Sequence, residues 1–156
     1  MINIFDVKKR IDAFEARHGT PVRAGGWVYF ADGATRDGNQ MGPMNEPPRE
    51  PIFRCRNIVR YHQILLDRQV REFDELKEQS KGDSGVSNAE ENILQLKRLR
   101  CNVRQRQRKL EAAQLELKKV MPGYLPPAEA ERRRQADAAH EAAKDQYRKR
   151  LDEINI

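Results

Sequence analysis

The stretch IFRCRNIVRYHQILLDRQVREFDELKEQSK, residues 52–81, holds neither Gly nor Pro and repeats its apolar positions at a helical interval. Ile52, Val59, Leu66 and Phe73 stand seven apart. Taken as the a positions of a heptad, they make Cys55, His62, Gln69 and Leu76 the d positions, and Ile58 and Leu65 widen the stripe at g. Such a repeat keeps one narrow seam in line along a helix and requires a second helix to cover it. That helix lies in sequence reach: Leu96, Val103, Leu110 and Leu117 again step by seven, with Leu99, Arg106, Ala113 and Val120 as d. Between the two lies KGDSGVSN, residues 81–88, a turn by composition, overlapping the S-x-x-E capping box Ser87–Glu90. Folding back about Val86 sets each a position of one helix against a d position of the other, with the midpoint inside the turn. Pattern and loop thus agree on an antiparallel helical-hairpin coiled coil, an arm of roughly 40 Å.

Outward from the arm, a shorter helix is expected over Asn3–His18. Ile4, Val7, Ile11 and Phe14 share one face, and Gly19 and Pro21 end it. A last helix starts near Pro126-Pro127, since Pro suits a first turn. Its apolar face is thin: Ala136, Ala139, Ala143, Tyr147, Leu151 and Ile154. Between the first helix and the arm, GGWVYFADGATRDGNQ carries the only tryptophan, Trp27, followed by Val28, Tyr29 and Phe30 and then Asp32-Gly33. Asp-Gly after strand formers predicts a type I′ hairpin with a weak second arm over Ala34–Asp37, or an extended piece. MGPMNEPPREP, residues 41–51, reads as a polyproline-like connector. The fold class expected is all-α. Residues 1–51 form a helix plus the aromatic segment, 52–121 the coiled-coil arm, and 122–156 a C-terminal helix packing at the base. Trp27, Tyr29 and Phe30 pack at the open end of the arm, or else present an aromatic anchor to a partner.

Charged residues are 35% of the chain and hydrophobics 38%, too little apolar material for a thick core and suited to helices that bury one stripe. No apolar run approaches the roughly 18 residues of a membrane span, and Met1–Arg10 does not read as a signal peptide. Cys55 and Cys101 lie in no CxxC motif. In the hairpin register they sit roughly 24 Å apart along the arm, so reduced thiols and a cytoplasmic setting are expected.

Charge placement is the strongest chemical signal. Residues 92–110 hold seven cations and no acid, and residues 52–71 hold five arginines against Asp67, net +7 and +4 where the whole chain is +6. Folding back brings the two stretches together as a basic collar, with the acid-rich tip Glu72–Glu91 beyond. Lys97, Arg100, Arg104 and Arg108 follow one face, and Arg60, Arg68 and Arg71 join them from the other helix. Crowded like charges favour an anionic partner: the backbone of RNA or DNA, or an acidic protein. The balancing charges beside Arg132–Arg134 and Arg148–Arg150 mark those runs as solvated helix faces.

Catalytic chemistry has no residues to use. Gly82–Gly85 read GDSG, the residues around the nucleophile of chymotrypsin-like proteases, but in a polar turn with no His and Asp placed to activate Ser84. His18, His62 and His140 are scattered, and no nucleotide fingerprint occurs. His62 belongs to the seam, and His18 sits at a helix C-terminus, where positive charge is favoured. The sequence therefore predicts no catalytic residue, cofactor or metal. It predicts a non-enzymatic coiled-coil interaction module, a scaffold subunit or adaptor that self-associates or binds another protein away from membranes. The alternative is an accessory nucleic-acid binder that uses the collar.

Overall fold

A computed structural model describes residues 3–82 and 86–154, and the side chains of 86–88 are not among those described. Four helices carry most of the chain: α1 (Ile4–His18), α2 (Pro51–Gly82), α3 (Val86–Val120) and α4 (Pro127–Ile154). Four short strands lie between α1 and α2: β1 (Val22–Ala24), β2 (Trp27–Tyr29), β3 (Thr35–Asp37) and β4 (Met44–Asn45). The chain divides into two units at Pro122/Gly123.

The helix ends follow local chemistry. Asn3 caps α1, its side-chain oxygen accepting the Phe5 N–H at 3.1 Å, and the Gly19 N–H closes the other end on Glu15 O at 2.8 Å. Pro127 opens α4, where its missing N–H costs nothing. α3 begins at Val86, one residue before the expected capping box. The Ser87 side chain, and Asp83–Gly85 of the GDSG motif, lie outside the described residues.

α2 and α3 pack along each other in opposite directions. Among the described side chains of α3, the half-buried or buried positions are Asn92, Leu96, Leu99, Val103, Arg106, Leu110, Ala113, Leu117 and Val120, with Gln114 the single addition. These are the a and d positions of the heptad. Beyond Leu66, α2 is covered only at Leu66, Gln69, Phe73, Leu76 and Ser80, in the same rhythm. Arg106, expected opposite Leu66, instead extends its guanidinium to His62 Nδ1 at 3.3 Å. The side chain is long enough to reach one turn along, and the imidazole offers an acceptor that Leu66 lacks.

The aromatic segment departs most from the expected all-α class. It is a four-stranded antiparallel sheet of order β1-β2-β3-β4, where a single hairpin or an extended piece was expected. Gly25-Gly26 turns β1 into β2, with Gly25 at φ +61°. Gly-Gly between strand formers is itself a hairpin signal, and it precedes the Asp-Gly pair. The polyproline-like connector is also corrected, since Met44 pairs with Arg36 and Asn45 with Thr35.

The Asp32-Gly33 turn is not type I′. That turn needs positive φ at both central residues, and only Gly33 has it. Phe30 N–H donates to Ala34 O at 3.0 Å and Gly33 N–H to Phe30 O at 3.2 Å, a three-residue loop ending in a left-handed glycine bulge. Asp32 is kept out of the left-handed region by its own carboxylate, which accepts the Ala34 N–H at 3.0 Å and also binds the His18 ring.

Side chains alternate across the sheet, so its two faces have different partners. Val28, Arg36 and Met44, together with Phe30 and Ala34, face α1, where Phe14 completes a buried cluster. Val22, Ala24 and Tyr29 face α2 and meet Tyr61, Ile64 and Leu65. The sheet is thus clamped between the N-terminal helix and roughly the first half of α2. Asn57 Nδ2 donates to Gly33 O at 3.0 Å and fastens the β2–β3 loop to α2.

α4, described by itself, contributes no buried residue. Its ion pairs Glu131–Arg134, Glu141–Lys144 and Asp145–Arg148 are exposed (i, i+3) contacts at 3.1, 3.4 and 3.9 Å. Such surface pairs add little stability.

Candidate functional site

The arm changes character along its length. Among the described side chains, Tyr61 is the one buried residue of α2, and Leu110, Ala113 and Leu117 are those of α3, all toward the sheet end. From 62 to 82 on α2 and from 89 to 109 on α3, no described side chain is buried. Two helices alone cannot enclose a seam, so each apolar residue there keeps part of its surface in water.

On this outer half the two helices leave a groove of about 590 Å³ lined by Val70, Phe73, Lys77, Ile93, Leu96, Lys97, Arg100 and Val103. Val70 is 37% exposed and Ile93 51%. Every charged residue lining the groove is a cation.

All seven collar residues are exposed, but their settings differ. Arg60 lies over the Tyr29 ring, 5.2 Å from its centroid, and Arg68 Nη2 donates to Arg23 O at 3.5 Å, so the sheet engages both. Lys97 and Arg100 border the groove. Among the described residues, the side chains of Arg71, Arg104 and Arg108 make no hydrogen bond or ion pair. None of the seven pairs with a described carboxylate, although the acid-rich tip adjoins them in sequence.

The three aromatic candidates separate. Phe30 is 0% exposed, edge-on to Phe14 with centroids 5.2 Å apart, and Tyr29 is buried against Tyr61. Both belong to the core. Trp27, at 42% exposure, borders an open cleft with Tyr29, Thr35, Asn45, Asn57 and Arg60. Their order along the strand explains this. Trp27 shares a face with Tyr29 but is not part of the cluster that Val22 and Tyr29 make with Tyr61, whereas Phe30 belongs to the cluster with Phe14 of α1.

Sequence reasoning missed the His18 cluster. The imidazole is nearly enclosed and stacks on Phe14 and Phe30, at 4.5 and 5.9 Å between ring centroids. Its Nδ1 binds Asp32, and its Nε2 lies 2.8 Å from Glu46 Oε2 without hydrogen-bond alignment. Glu46 also pairs with Arg17 at 3.1 Å. These contacts tie α1 to the β2–β3 loop and to the residue that follows β4. The two carboxylates meet opposite edges of the ring, and among the described residues no His, Cys, Asp and Glu group is placed to hold a metal ion. Arg36, likewise buried, donates to Asp37 O at 3.1 Å and lies 4.0 Å from Glu15.

His62 titrates against its surroundings. Burial holds its pKa below the ordinary 6.5, and the nearby Arg106 and Lys109 push the same way. The Arg106 guanidinium can only donate, so the bond to Nδ1 needs a neutral ring. Above about pH 6.5 both folded and unfolded chains hold His62 neutral and the group is without effect. As pH falls, the unfolded chain takes up the proton first, and stability is lost until the folded pKa is passed. His62→Gln is expected to flatten the decline in urea midpoint between about pH 7 and 5. Superimposable wild-type and variant pH profiles would contradict this.

Cys55 is half-buried on α2 and Cys101 exposed on α3, both as free thiols. Among the described residues no helix is long and apolar enough to cross a membrane. No protein-family model, no curated protein and no solved structure matches the chain.

Proposed function

We propose that the protein is a non-enzymatic interaction module, a subunit or adaptor in a larger cytoplasmic assembly. Its antiparallel coiled-coil arm is rooted in the small sheet and offers its outer half to a partner. The observation that supports this is apolar surface left open: Val70, Ile93 and Leu94 on the outer arm and, in the other unit, Tyr147, Leu151 and Ile154 on α4. Apolar side chains gathered at helical spacing and left uncovered are a feature of surfaces that bind other proteins. Light scattering on the purified protein, with co-purification from its native source, tests the reading. A stable oligomer or a stoichiometric protein partner is expected, and a lone monomer without a partner would count against it.

A second reading rests on a separate observation: no described carboxylate pairs with the collar. Arginines and lysines left unneutralised along one face suit a polyanion, and the collar would grip RNA or DNA by its backbone without sequence choice. Affinity for duplex RNA is then expected to fall steeply with salt. Reversing Arg100, Arg104 and Arg108 to Glu should abolish binding at moderate salt, and neutralising them should reduce the log–log salt slope by about 3. Binding that ignores salt, or none at low ionic strength, would end this alternative.

A further inference from the structure

Resting on the interaction-module reading, we propose that the groove on the outer half of the arm is the docking site for an acidic amphipathic helix of another protein. The groove floor is apolar, formed by Val70, Phe73, Leu96 and Val103, with Ile93 half in water at its edge. Its lining charges are Lys77, Lys97 and Arg100. Glu78, beside Lys77, is paired with Lys81 at 3.3 Å, and no described carboxylate pairs with Lys77, Lys97 or Arg100. An occupant must therefore carry apolar side chains along one stripe and carboxylates beside it.

The dimensions suit a helix. Ile93 to Val103 spans ten residues of α3, about 15 Å, or close to three helical turns. Anchors at i, i+4 and i+7, the usual pattern of a helix laid in a groove, cover about 10 Å of that length. A second copy of this chain fits poorly, because a twofold contact of groove on groove would bring two cation-lined surfaces together. A nucleic-acid backbone would satisfy the cations but leave the apolar floor uncovered. Phe73 is the only aromatic lining the groove and is part of the seam, so stacked bases have no platform.

The test titrates methyl-labelled full-length protein with a synthetic peptide of about 15 residues, long enough for four helical turns. It carries Leu at i, i+4 and i+7 and Glu on both flanks of that stripe. Comparators are a scrambled peptide of the same composition, one with Lys in place of Glu, and duplex RNA. Methyl shifts are expected at Val70, Ile93, Leu96 and Val103 with the acidic peptide alone. Lys97→Glu with Arg100→Glu, and separately Ile93→Asp, should each weaken binding at least about tenfold while helicity is unchanged, since these side chains are exposed. Salt should reduce affinity without abolishing it, because the apolar anchors are not screened. Equal binding of the scrambled peptide, or shifts outside the groove, overturns the proposal. So do groove shifts produced by duplex RNA or by raising protein concentration alone. In the last case a second copy covers the groove and the interaction-module reading survives, so the two failures stay distinct.

Discussion

Phe30→Ala is expected to destabilise the folded protein by about 3–5 kcal/mol, the largest loss of any single truncation in the clamp between α1 and the sheet. Phe30 has no accessible surface and is the joint at which Phe14, Val28, Ala34 and the His18 ring meet. Removing the ring forfeits its transfer free energy and leaves a cavity. The walls cannot close it, because two are strands held by ladder hydrogen bonds and one is a helix anchored by the His18 contacts. Trp27 is the only tryptophan and stands three residues before Phe30 on the opposite face of the sheet, so its fluorescence reports the sheet without sharing the lesion. Urea titration followed at Trp27 should show the midpoint falling sharply. A shift worth less than about 1 kcal/mol would mean the cavity is refilled and the cluster is not the core described. Trp27→Ala, at a half-open position, should cost far less by circular dichroism.

Gly33→Val is expected to cost about 2–4 kcal/mol by two routes acting together. Gly33 has φ +96°, where any side chain is strained by roughly 1–2 kcal/mol and a β-branched one most. A Cβ there would also stand 3.1 Å from both Arg54 Cγ and the Arg54 carbonyl oxygen. The carbonyl belongs to the α2 ladder and cannot yield, so the loop must lift and take with it the Asn57–Gly33 hydrogen bond. Gly25 separates the two routes. It too has positive φ, +61°, but nothing lies within 4 Å of its would-be Cβ. Gly25→Ala should show conformational strain alone, and Gly33→Ala strain plus the clash. Equal denaturation midpoints for the two alanine variants would show that the sheet is not pressed against α2.

The arm was legible because its signal is local and repeated. Each heptad residue restates the same face, and α2, α3 and α4 begin within a residue or two of where Pro51, the capping box and Pro127 place them. The candidate site was legible only in part. The charge of Lys97, Arg100, Arg104 and Arg108 can be read in one dimension, but the groove beside them cannot. It exists because two helices cover only one side of each seam residue, which leaves Val70 and Ile93 open. Arg60 and Arg68 looked equivalent to the others in sequence, yet the sheet engages them through Tyr29 and the Arg23 carbonyl.

From its sequence alone, the protein is committed to long amphipathic helices, to a reversal between Gly82 and Val86, and to a band of cations beside an acid-rich tip. Helical hydrogen bonds and heptad spacing join residues a few positions apart, so the amino-acid order suffices to specify them. The tertiary structure alone decided that residues 22–45 form a sheet rather than a loose hairpin. Its strands are two or three residues long, too short to hold their shape without α1 on one face and α2 on the other. It decided also that Asp32 turns toward His18, that Tyr29 and Phe30 are core while Trp27 is surface, and that the outer arm carries an uncovered groove. Each of these depends on which distant surface arrives to bury a side chain, and neighbouring residues carry no record of that.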